Sequence, residues 1–599
     1  MAFYTSTNFV PMPDFYNKNL WLPTSKKEVD DLGWEYIDII FFSGDAYVDH
    51  PAFGTAIIAR VWQSLGFRVA IVPQPNWRDD LRDFKKLGCP RLFFAVSAGN
   101  MDSMVNHYTA NRRLRSNDAY TPDDKSGFRP DYAVTVYTNI LKNLYPSMPV
   151  IIGGIEASLR RLTHYDYWKN ELLPSILIGS KADLLIYGMG EKAAKETVLR
   201  IAKGENVNAL TNIPQTAYKT KNLPTVENIL HLNSYEECRR YKKKFAENFR
   251  LIEEESNTFS PRTIVEPIGD YNIVVNPPYP TMTENEIDEV YNLQFTRMPH
   301  PRYKNKRIPA YEMIRHSVNI HRGCFGGCSF CTISAHQGKF ITSRSEDSIL
   351  NEIDKIKMMP DFKGYISDVG GPSANMYDMR GKNINICKKC RRSSCLFPAV
   401  CNNLNNDHSK LTAIYKKIQS LPAVKKATIG SGIRYDLFMD ENGFLDKSCE
   451  KYFSQLVKYH VSGRLKVAPE HTSDKVLKSV RKPSFELFKV LKNKFDKINT
   501  SEKLNQQIVP YFISCLPHCT FNDMKKLSAE THSLHLNLEQ VQAFTPTPMT
   551  LASAIYYTEI DPYTGEKVFV ARTTEERKKQ TEQFFFYNNQ NKFQKNKKI

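Results

Sequence analysis

The N-terminal part of the chain alternates short apolar runs with amphipathic stretches. Apolar runs that end in glycine-rich turns predict buried strands, and a helix is predicted from about Gly54 to Leu65. The runs are WEYIDIIFFSGDA, FRVAIVPQ, RLFFAVSAGN, MPVIIGGIEA and DLLIYGMGE. Strand, turn and helix in this order favour a doubly wound α/β sheet, whose ligand crevice lies at the carboxyl ends of its strands. We therefore expect residues 1–206 to form a Rossmann-like domain.

The pattern changes between residues 207 and 308. The segment YEECRRYKKKFAENFRLIEEES predicts one long charged helix, whose charged run is most simply a solvated face. The segment NIVVNPPYPTMTENEIDEVYNLQF predicts an extended proline-rich strip followed by another helix. We expect residues 207–308 to be a connector or partial cap.

From residue 309 to residue 572, six apolar runs alternate with amphipathic helices. The runs are HSVNIHRG, FKGYISDVGG, VKKATIGSGI, GRLKVAPEH, QQIVPYFISCLP and EQVQAFTPTP. The first of the helices has Ser345 at its predicted N-cap and acidic residues in its first turn. This alternation predicts a parallel β/α unit that curves into an open, partial (β/α)6 barrel, with its active site at the carboxyl ends of the strands. Residues 573–599 are expected to be a helix that frays into a basic C-terminal tail.

Composition sets limits on the class of protein. A chain of 599 residues with 41% apolar content predicts two or three folded domains. No run of eighteen apolar residues and no signal-peptide pattern occurs, so we expect a cytoplasmic protein without membrane contact. The formal charge of +18 favours anionic partners such as RNA or phosphorylated substrates, although a drift towards Lys-rich sequence would give the same charge.

The candidate chemistry is concentrated in the cysteines. Seven of the twelve cysteines fall between Cys324 and Cys401, which in a reducing compartment favours metal binding over disulfides. Within HRGCFGGCSFC, the residues Cys324, Cys328 and Cys331 form a C-x3-C-x2-C motif. Three local thiolates leave one iron of a four-iron cubane open to a non-protein ligand. The loop also contains Gly323, Gly326 and Gly327, which allow positive φ and a close approach of the backbone to a cluster.

A second cysteine group follows the second barrel strand, in CKKCRRSSCLFPAVC. Its members are Cys387, Cys390, Cys395 and Cys401. Four ligands at this spacing could close a tetrahedral zinc site or carry an auxiliary iron–sulfur cluster. The alternative is a set of loop cysteines near the active site, one or two of which act as radical or proton donors. Cys515 and Cys519, after the fifth strand, are more typical of packing than of chemistry.

Longer strings carry a family resemblance. HRGCFGGCSFCTISAHQGKFITSRS, with Phe330 just before the last cysteine, is followed by SDVGGPSANMY and VQAFTPTPMT. Over roughly residues 10 to 575 the chain resembles the YgiQ-type family of radical S-adenosylmethionine (SAM) proteins. The resemblance implies a [4Fe–4S] cluster on Cys324, Cys328 and Cys331 whose open iron binds the amino and carboxylate groups of SAM. It also implies reductive cleavage of SAM to methionine and a 5′-deoxyadenosyl radical, with a one-electron donor such as flavodoxin or ferredoxin. Spacing alone predicts only a three-thiolate site.

The resemblance extends to other positions. Gly370 and Gly371 occupy the place of the glycine-rich turn whose backbone binds the SAM amino group in radical SAM barrels, although this chain has GGP where GGE is commoner. The N-terminal segment resembles the cobalamin-binding-type Rossmann domain that precedes some of these barrels. Its DHPAFG string, from His50 to Gly54 with Asp49 before it, does not meet the D-x-H-x-x-G signature of that domain, so a fold without cobalamin is expected.

Polar residues at the ends of the third and fourth barrel strands are further candidates. Ser431 and Arg434 could meet the ribose or carboxylate of SAM, because Arg binds a carboxylate bidentately. Glu470 and His471 could act in acid–base chemistry or ribose binding, with a structural hydrogen bond as the alternative.

The leading hypothesis is therefore a radical SAM enzyme of unknown substrate. A methylthiotransferase-like modification of RNA or a ribosomal protein is the alternative within the same class. The alternative from another class is a non-catalytic iron–sulfur protein that binds RNA or transfers electrons. A ferredoxin-type C-x2-C-x2-C-x3-C-P run is missing, which counts against electron transfer.

Overall fold

The computed structural model describes residues 20–536 and 538–585. The N-terminal half of the chain contains a nine-stranded sheet, and the C-terminal half contains a set of parallel strands that carry the cysteine loop. In spatial order the sheet contains Val69–Pro73, Ile39–Ser43, Phe93–Ser97, Val150–Gly153, Leu184–Ile186, Thr216–Thr220, Tyr271–Val275, Thr263–Ile268 and Ile229–His231. The first five strands are parallel, as predicted.

Both faces of this sheet are buried, which explains its continuous apolar runs. Ile40 and Phe42 face one core, whereas Ile39 and Phe41 face the other. The predicted helix after the first strand is present at Gly54–Ser64. The other helices of this half are Lys26–Asp31, Arg82–Lys85, Ser103–His107, Ala133–Leu144, Gly154–Leu159, Ile176–Gly179 and Glu191–Ala202. A short hairpin pairs His164–Asp166 with Glu171–Leu173.

The interval 207–308 contributes strands to the first sheet. Four of the nine strands lie in it, and three of them extend the sheet through antiparallel pairs, such as Leu185 with Ala217. The four strands between residues 216 and 275 therefore belong to the first sheet, and the predicted connector or partial cap with its bounds 207–308 stays a prediction. Thr263–Ile268 and Tyr271–Val275 form a local hairpin, but the pairing of Tyr271–Val275 with Thr216–Thr220 and of Thr216–Thr220 with Leu184–Ile186 joins segments distant in sequence, which a local pattern does not indicate.

The predicted long charged helix is wrong, since Tyr241 divides it. Tyr241 has extended backbone angles and separates the helices Tyr235–Arg240 and Lys242–Ser256. The break allows Cys238 before it and Phe249 after it to enter the same hydrophobic core. The helix Glu284–Tyr291 follows at the predicted place, and Pro309–Ile314 leads into the barrel.

The six predicted barrel strands are present in parallel order. They include Ser317–Asn319, Asp368–Gly370, Lys426–Ala427, Arg464–Glu470, Gln507–Ser514 and Gln540–Ala543. Consecutive strands pair in parallel, with the third and fourth joined by a single bridge between Ile433 and Val467 and the second extended by Tyr365–Ile366. In the described part of the chain no pairing joins the last strand to the first, so the barrel is open. The predicted fold class is confirmed.

The barrel half of the chain also contains α-helices. They are Ile333–Gln337, Glu346–Lys357, Ile384–Lys389, Ser409–Gln419, Lys447–Gln455, Asp474–Ser479, Phe485–Ser501, Phe521–Ser533, Leu551–Thr558 and Thr574–Glu582. Short antiparallel pairs join His321–Arg322 to Thr342–Ser343 and Met439–Asp440 to Gly443–Phe444. Ser345 caps its helix as predicted, because its hydroxyl accepts a hydrogen bond from the Ser348 amide at 3.1 Å.

Two sequence-based expectations concern the chain ends and the membrane. The predicted C-terminal tail begins as the helix Thr574–Glu582, in which Arg577 and Gln580 are buried, and the part beyond residue 585 lies outside the described residues. Within residues 20–536 and 538–585, no helix combines the length and apolar character that a membrane span requires.

Candidate active site

The cysteine loop follows the first barrel strand and is closed by its own hydrogen bonds. The Cys324 amide donates to the Gly338 carbonyl at 3.1 Å, and the Ser334 hydroxyl donates to the Cys324 carbonyl at 3.1 Å. The Cys331 amide donates to the Cys328 carbonyl at 3.1 Å, which forms a tight turn. The three thiols predicted as cluster ligands therefore lie in one short loop at the carboxyl end of a barrel strand.

Two glycines of this loop have no room for a side chain. Gly327 has φ +60°, and a Cβ there would clash with the Ser393 carbonyl oxygen. A Cβ on Gly326 would lie 2.8 Å from Arg434 Nη1 and 3.3 Å from Cys324 Sγ. The loop backbone is thus enclosed by groups from two other parts of the barrel.

Arg434, predicted as a SAM contact, touches a cysteine of the loop. Its Nη1 donates to Cys328 Sγ at 3.2 Å, while its Nε and Nη2 donate to the Asp436 carboxylate at 2.9 and 2.5 Å. The side chain of Asn375 fixes the backbone of Arg434 by accepting from its amide and donating to its carbonyl. The buried guanidinium thus places a permanent positive charge beside one of the three predicted ligand sulfurs.

Burial dominates the electrostatics of the other two thiols. The pKa of Cys324 is raised to about 11 and that of Cys331 to about 12, mainly by loss of solvation and in smaller part by the neighbouring Cys328. A coordinated metal deprotonates a thiol outright, so burial of this kind is compatible with metal binding.

The glycine turn and Ser431 meet beside the loop. The Gly370 carbonyl accepts from the Ile320 amide at 2.8 Å, and a Cβ on Gly370 would lie 3.0 Å from Ser431 Oγ. Gly371 packs against the ring of His321, where a Cβ would lie 2.8 Å from both ring nitrogens. Asp368 binds the Ser431 hydroxyl and amide. Gly370, Gly371 and Ser431 are therefore brought together next to the strand that leads into the cysteines.

Glu470 ends the fourth strand and pairs with a lysine. Its φ is +68°, and its carboxylate lies 3.1 Å from Lys482 Nζ. Burial raises the pKa of Glu470, and Lys482 partly offsets this shift.

His471 contacts Cys519, which the sequence did not predict. Its Nε2 lies 3.5 Å from Cys519 Sγ, and burial lowers the pKa of His471 to about 4. Gln580 of the last helix donates to the Cys519 carbonyl at 2.8 Å and accepts from the Cys515 amide at 2.9 Å. This group ties the last helix to the barrel and has a structural role.

The second cysteine group lies on an insertion that touches the cysteine loop. The Cys395 amide donates to the Phe325 carbonyl at 3.0 Å, and the Ser394 hydroxyl donates to the Gly326 carbonyl at 2.7 Å. Among residues 20–536 and 538–585, no three His, Cys, Asp or Glu side chains converge closely enough to hold a single metal ion. In a cubane each thiolate binds a different iron, so cubane ligands need not converge on one point.

A cavity of about 470 Å³ lies where the carboxyl edge of the first sheet meets the barrel. Glycine turns of the sheet, including Gly99, Gly154 and Gly188, form one wall, and His321 with Gly371 forms another. His50, from the DHPAFG string, is buried, and its Nδ1 accepts from the Ala52 amide at 3.0 Å. The cavity lining does not include His50.

An adjoining cavity of about 360 Å³ has a cationic wall that sequence reasoning missed. Arg161 is buried there with its Cζ 4.7 Å from the centre of the Tyr187 ring, and its Nη1 donates to the Ser158 carbonyl. Lys339 is buried in the same wall and donates to the Arg392 carbonyl. Within residues 20–536 and 538–585, neither cation has a carboxylate partner within 4.0 Å. His336, whose pKa burial lowers to about 4, lines both cavities.

Comparisons with known proteins agree with the sequence resemblance. Residues 21–317 match the radical SAM N-terminal model, residues 318–501 match the radical SAM superfamily model, and residues 539–597 match a domain of unknown function (DUF3362). Among solved structures, the radical SAM methyltransferase TsrM from Kitasatospora setae, with cobalamin and a [4Fe–4S] cluster bound, has a TM-score of 0.47 at 13% identity, covering 89% of this chain and 87% of that one. That likeness is too low to bear on the site.

Relatives similar over nearly the whole chain share one name. A UPF0313 protein of Bacteroides thetaiotaomicron is 57% identical over 578 residues, covering 94% of this chain and 93% of the relative. UPF0313 proteins of Porphyromonas gingivalis and Methanocella arvoryzae are 58% and 46% identical, covering 93% and 92% of this chain and 89% and 91% of the relatives. The chain therefore belongs to the UPF0313 family, the YgiQ-type family of radical SAM enzymes, whose cofactors are a [4Fe–4S] cluster and SAM.

Proposed function

We propose that Cys324, Cys328 and Cys331 hold the [4Fe–4S] cluster and that the enzyme cleaves SAM reductively beside it. The observation that carries this proposal is the placement of three thiols on one closed loop, with Arg434 donating to Cys328 Sγ at 3.2 Å. When bound, the reduced cluster supplies the electron that converts SAM into methionine and a 5′-deoxyadenosyl radical. The role of this chain is to hold the thiolates, to orient SAM and to exclude water.

The thiol donor set fits such a cluster. Soft thiolates are the usual ligands of iron–sulfur clusters, and three of them leave one iron free for SAM. The close approach of Gly326 to Arg434 and Cys324 Sγ leaves no room for a side chain that would compete for the same space. Arg434 balances negative charge at the ligand sulfur because it is buried and permanently cationic.

Gly370, Gly371 and Ser431 are the residues we propose for SAM. A glycine backbone can approach a ligand closely, since it has no Cβ. The GGP turn supplies no carboxylate of its own, and the nearest one on its strand, Asp368, already binds Ser431. We therefore assign the turn a backbone role rather than an acidic one.

We place the substrate in the two adjoining cavities between the halves of the molecule. Volumes of about 470 and 360 Å³ are in the range of small-molecule sites. Arg161 and Lys339 favour an anionic substrate, because a buried cation without a carboxylate partner is stabilised by a bound anion. Modification of RNA or a ribosomal protein is supported only by the overall charge of +18.

The enzyme also needs a one-electron donor, and we propose flavodoxin or ferredoxin in the cytoplasm. All twelve cysteines are free thiols, as a reducing compartment favours.

The test is anaerobic reconstitution with iron and sulfide, followed by reduction with dithionite and addition of SAM. Chromatography should detect 5′-deoxyadenosine and methionine in equal amounts. Cys328→Ala should reduce both to background, whereas Cys89→Ala, at an exposed cysteine outside the site, should leave them unchanged. A fully loaded wild-type protein that forms no 5′-deoxyadenosine would refute the proposal.

A further inference from the structure

We propose that Cys387, Cys390, Cys395 and Cys401 hold a second iron–sulfur cluster, a cubane with four cysteine ligands. These residues lie on the segment 380–405, which we call the insertion, between the second barrel strand and the helix Ser409–Gln419. The proposal concerns iron binding only, so it stands or falls independently of SAM cleavage.

Hydrogen bonds close the insertion on itself and bring its two ends together. Gly381 forms an antiparallel bridge with Leu404, and the Lys382 amide donates to the Asn403 carbonyl at 2.6 Å. Asn403 Nδ2 donates to Cys387 Sγ at 3.2 Å and to the Asn383 carbonyl at 2.9 Å. The first cysteine of the group is therefore held beside the chain segment that carries the last one.

Local turns position the remaining thiols. The Cys390 amide donates to the Cys387 carbonyl at 3.0 Å, and the Cys401 amide donates to the Cys395 carbonyl at 2.8 Å. The thiols of Cys390 and Cys401 both interact electrostatically with Cys387 and with Cys395. Cys390 and Cys401 thus each lie near both Cys387 and Cys395, and all four thiols are half-buried and free of disulfides.

The arrangement favours a cubane over zinc. A tetrahedral zinc ion requires thiolates that converge at about 2.3 Å on one point, and no such convergence occurs in the described part of the chain. The three thiols of the primary loop do not converge either, although the family carries a [4Fe–4S] cluster. A cubane offers a separate iron to each thiolate, so it fits four neighbouring thiols that do not share a centre.

The charge around the insertion suits an anionic cluster. Four thiolates give a cubane a net negative charge, which nearby cations offset. Lys339 lies near Cys387 and Cys395, Arg392 lies near Cys395, and Lys388, Lys389 and Arg391 are adjacent to the cysteines in sequence. Arg392 also folds the insertion, because its Nη2 donates to the Phe397 and Ala399 carbonyls at 2.7 and 2.8 Å.

The insertion lies directly against the primary loop. Cys395 and Cys401 pack against the same small hydrophobic cluster as Cys324, which contains Phe325 and Leu396. The Cys395 amide donates to the Phe325 carbonyl at 3.0 Å, one residue from Cys324. A cluster in the insertion would thus be placed to pass electrons from an external donor to the primary cluster.

The test is the iron stoichiometry of the anaerobically reconstituted full-length protein. Wild type should hold about eight irons per chain, and the variant Cys387→Ala/Cys395→Ala about four. The variant Cys324→Ala/Cys328→Ala/Cys331→Ala should also keep about four irons, now without any response to SAM. Cys89→Ala serves as the control and should match wild type.

A measurement on wild type removes the dependence on variant folding. Mössbauer and EPR spectra should show two cubanes, of which SAM perturbs only one. About four irons in wild type, or about four irons with one zinc by elemental analysis, would overturn the proposal. The proposed SAM cleavage could fail while eight irons are present, and it could succeed with four, so the two proposals are separable.

Discussion

Individual residues around the cysteine loop leave it little freedom. Gly327 lies in the left-handed region against the Ser393 carbonyl, and Gly326 lies against the Arg434 guanidinium. Arg434 is itself held by the carboxylate of Asp436. The positions of the thiols therefore depend on residues far away in sequence. Substitutions of those residues should reduce the binding of the cluster.

We expect Gly327→Ala to impair cluster loading. A non-glycine residue in the left-handed region raises the free energy of the loop conformation by roughly 1–2 kcal/mol, which lowers its population about 5- to 30-fold. The clash with the Ser393 carbonyl adds to this cost. Iron content and the thermal unfolding midpoint should both fall. Gly432→Ala is the matched control, because a Cβ at Gly432 meets nothing within 4 Å. Equal iron content in both variants would contradict this account.

We expect Arg434→Gln to destabilise the protein even without a cluster. It leaves the buried Asp436 carboxylate unpaired, which typically costs about 3–5 kcal/mol. The double variant Arg434→Gln/Asp436→Asn should recover much of the thermal midpoint, since it removes the unpaired charge. If the thermal midpoint of Arg434→Gln equals that of wild type, the Arg434–Asp436 ion pair does not stabilise the protein.

At the scale of elements, the largest difference from the sequence-based prediction lies in the strands between residues 216 and 275. They extend the first sheet and place Glu266, on the strand Thr263–Ile268, in a fully buried position. Its Oε2 accepts from the Thr163 amide at 2.8 Å, and burial raises the pKa of Glu266 to about 7. A carboxyl group that would be exposed in a connector becomes a buried titratable group of the sheet.

This burial predicts a pH dependence of stability. Between the ordinary pKa of 4.5 and the folded pKa of about 7, the folded state binds the extra proton, so the free energy of unfolding falls as pH rises. The loss is on the order of 3 kcal/mol and is complete above the folded pKa. Glu266→Gln should therefore raise the thermal midpoint at pH 8 and change it little at pH 5. Glu227→Gln, at an exposed position, should change the midpoint little at either pH. If Glu266→Gln leaves the thermal midpoint at pH 8 unchanged, the raised pKa of Glu266 is contradicted.

At the scale of the whole molecule, the two halves meet around the cavities. Arg322 of the barrel forms a buried ion pair with Glu191 on a helix of the first sheet. Arg297 and Arg344 share the buried carboxylate of Glu352. These charges are paired within the protein, whereas Arg161 and Lys339 have no carboxylate partner within 4.0 Å in the described part of the chain.

We expect Arg161→Gln to weaken anion binding. With inorganic pyrophosphate as the probe, calorimetry should show affinity reduced roughly 10- to 100-fold, the effect of losing one charge-assisted hydrogen bond. Lys192→Gln is the control, because Lys192 lines the same cavity but is paired with Glu286 at 2.6 Å. Formation of 5′-deoxyadenosine without substrate should not change. Equal pyrophosphate affinity of wild type and Arg161→Gln would contradict the proposal that this cavity binds an anionic substrate.

The local chemistry of the sequence determined the strands that end in glycine turns, the helix after the first strand, the Ser345 cap and the order of the barrel strands. These features depend on residues a few positions apart, so hydrophobic spacing and capping predict them. The three thiols of the primary loop belong to the same group, because a C-x3-C-x2-C spacing keeps them within one short segment of the chain in any fold.

Only the tertiary structure decided which distant groups meet. It placed the four strands between residues 216 and 275 in the first sheet, broke the helix at Tyr241, and turned Arg434 towards Cys328. It also left Arg161 buried in a cavity wall without a carboxylate partner in the described part of the chain. Sheet edges, buried charges and cavities depend on partners far away in sequence, and no local pattern encodes those partners.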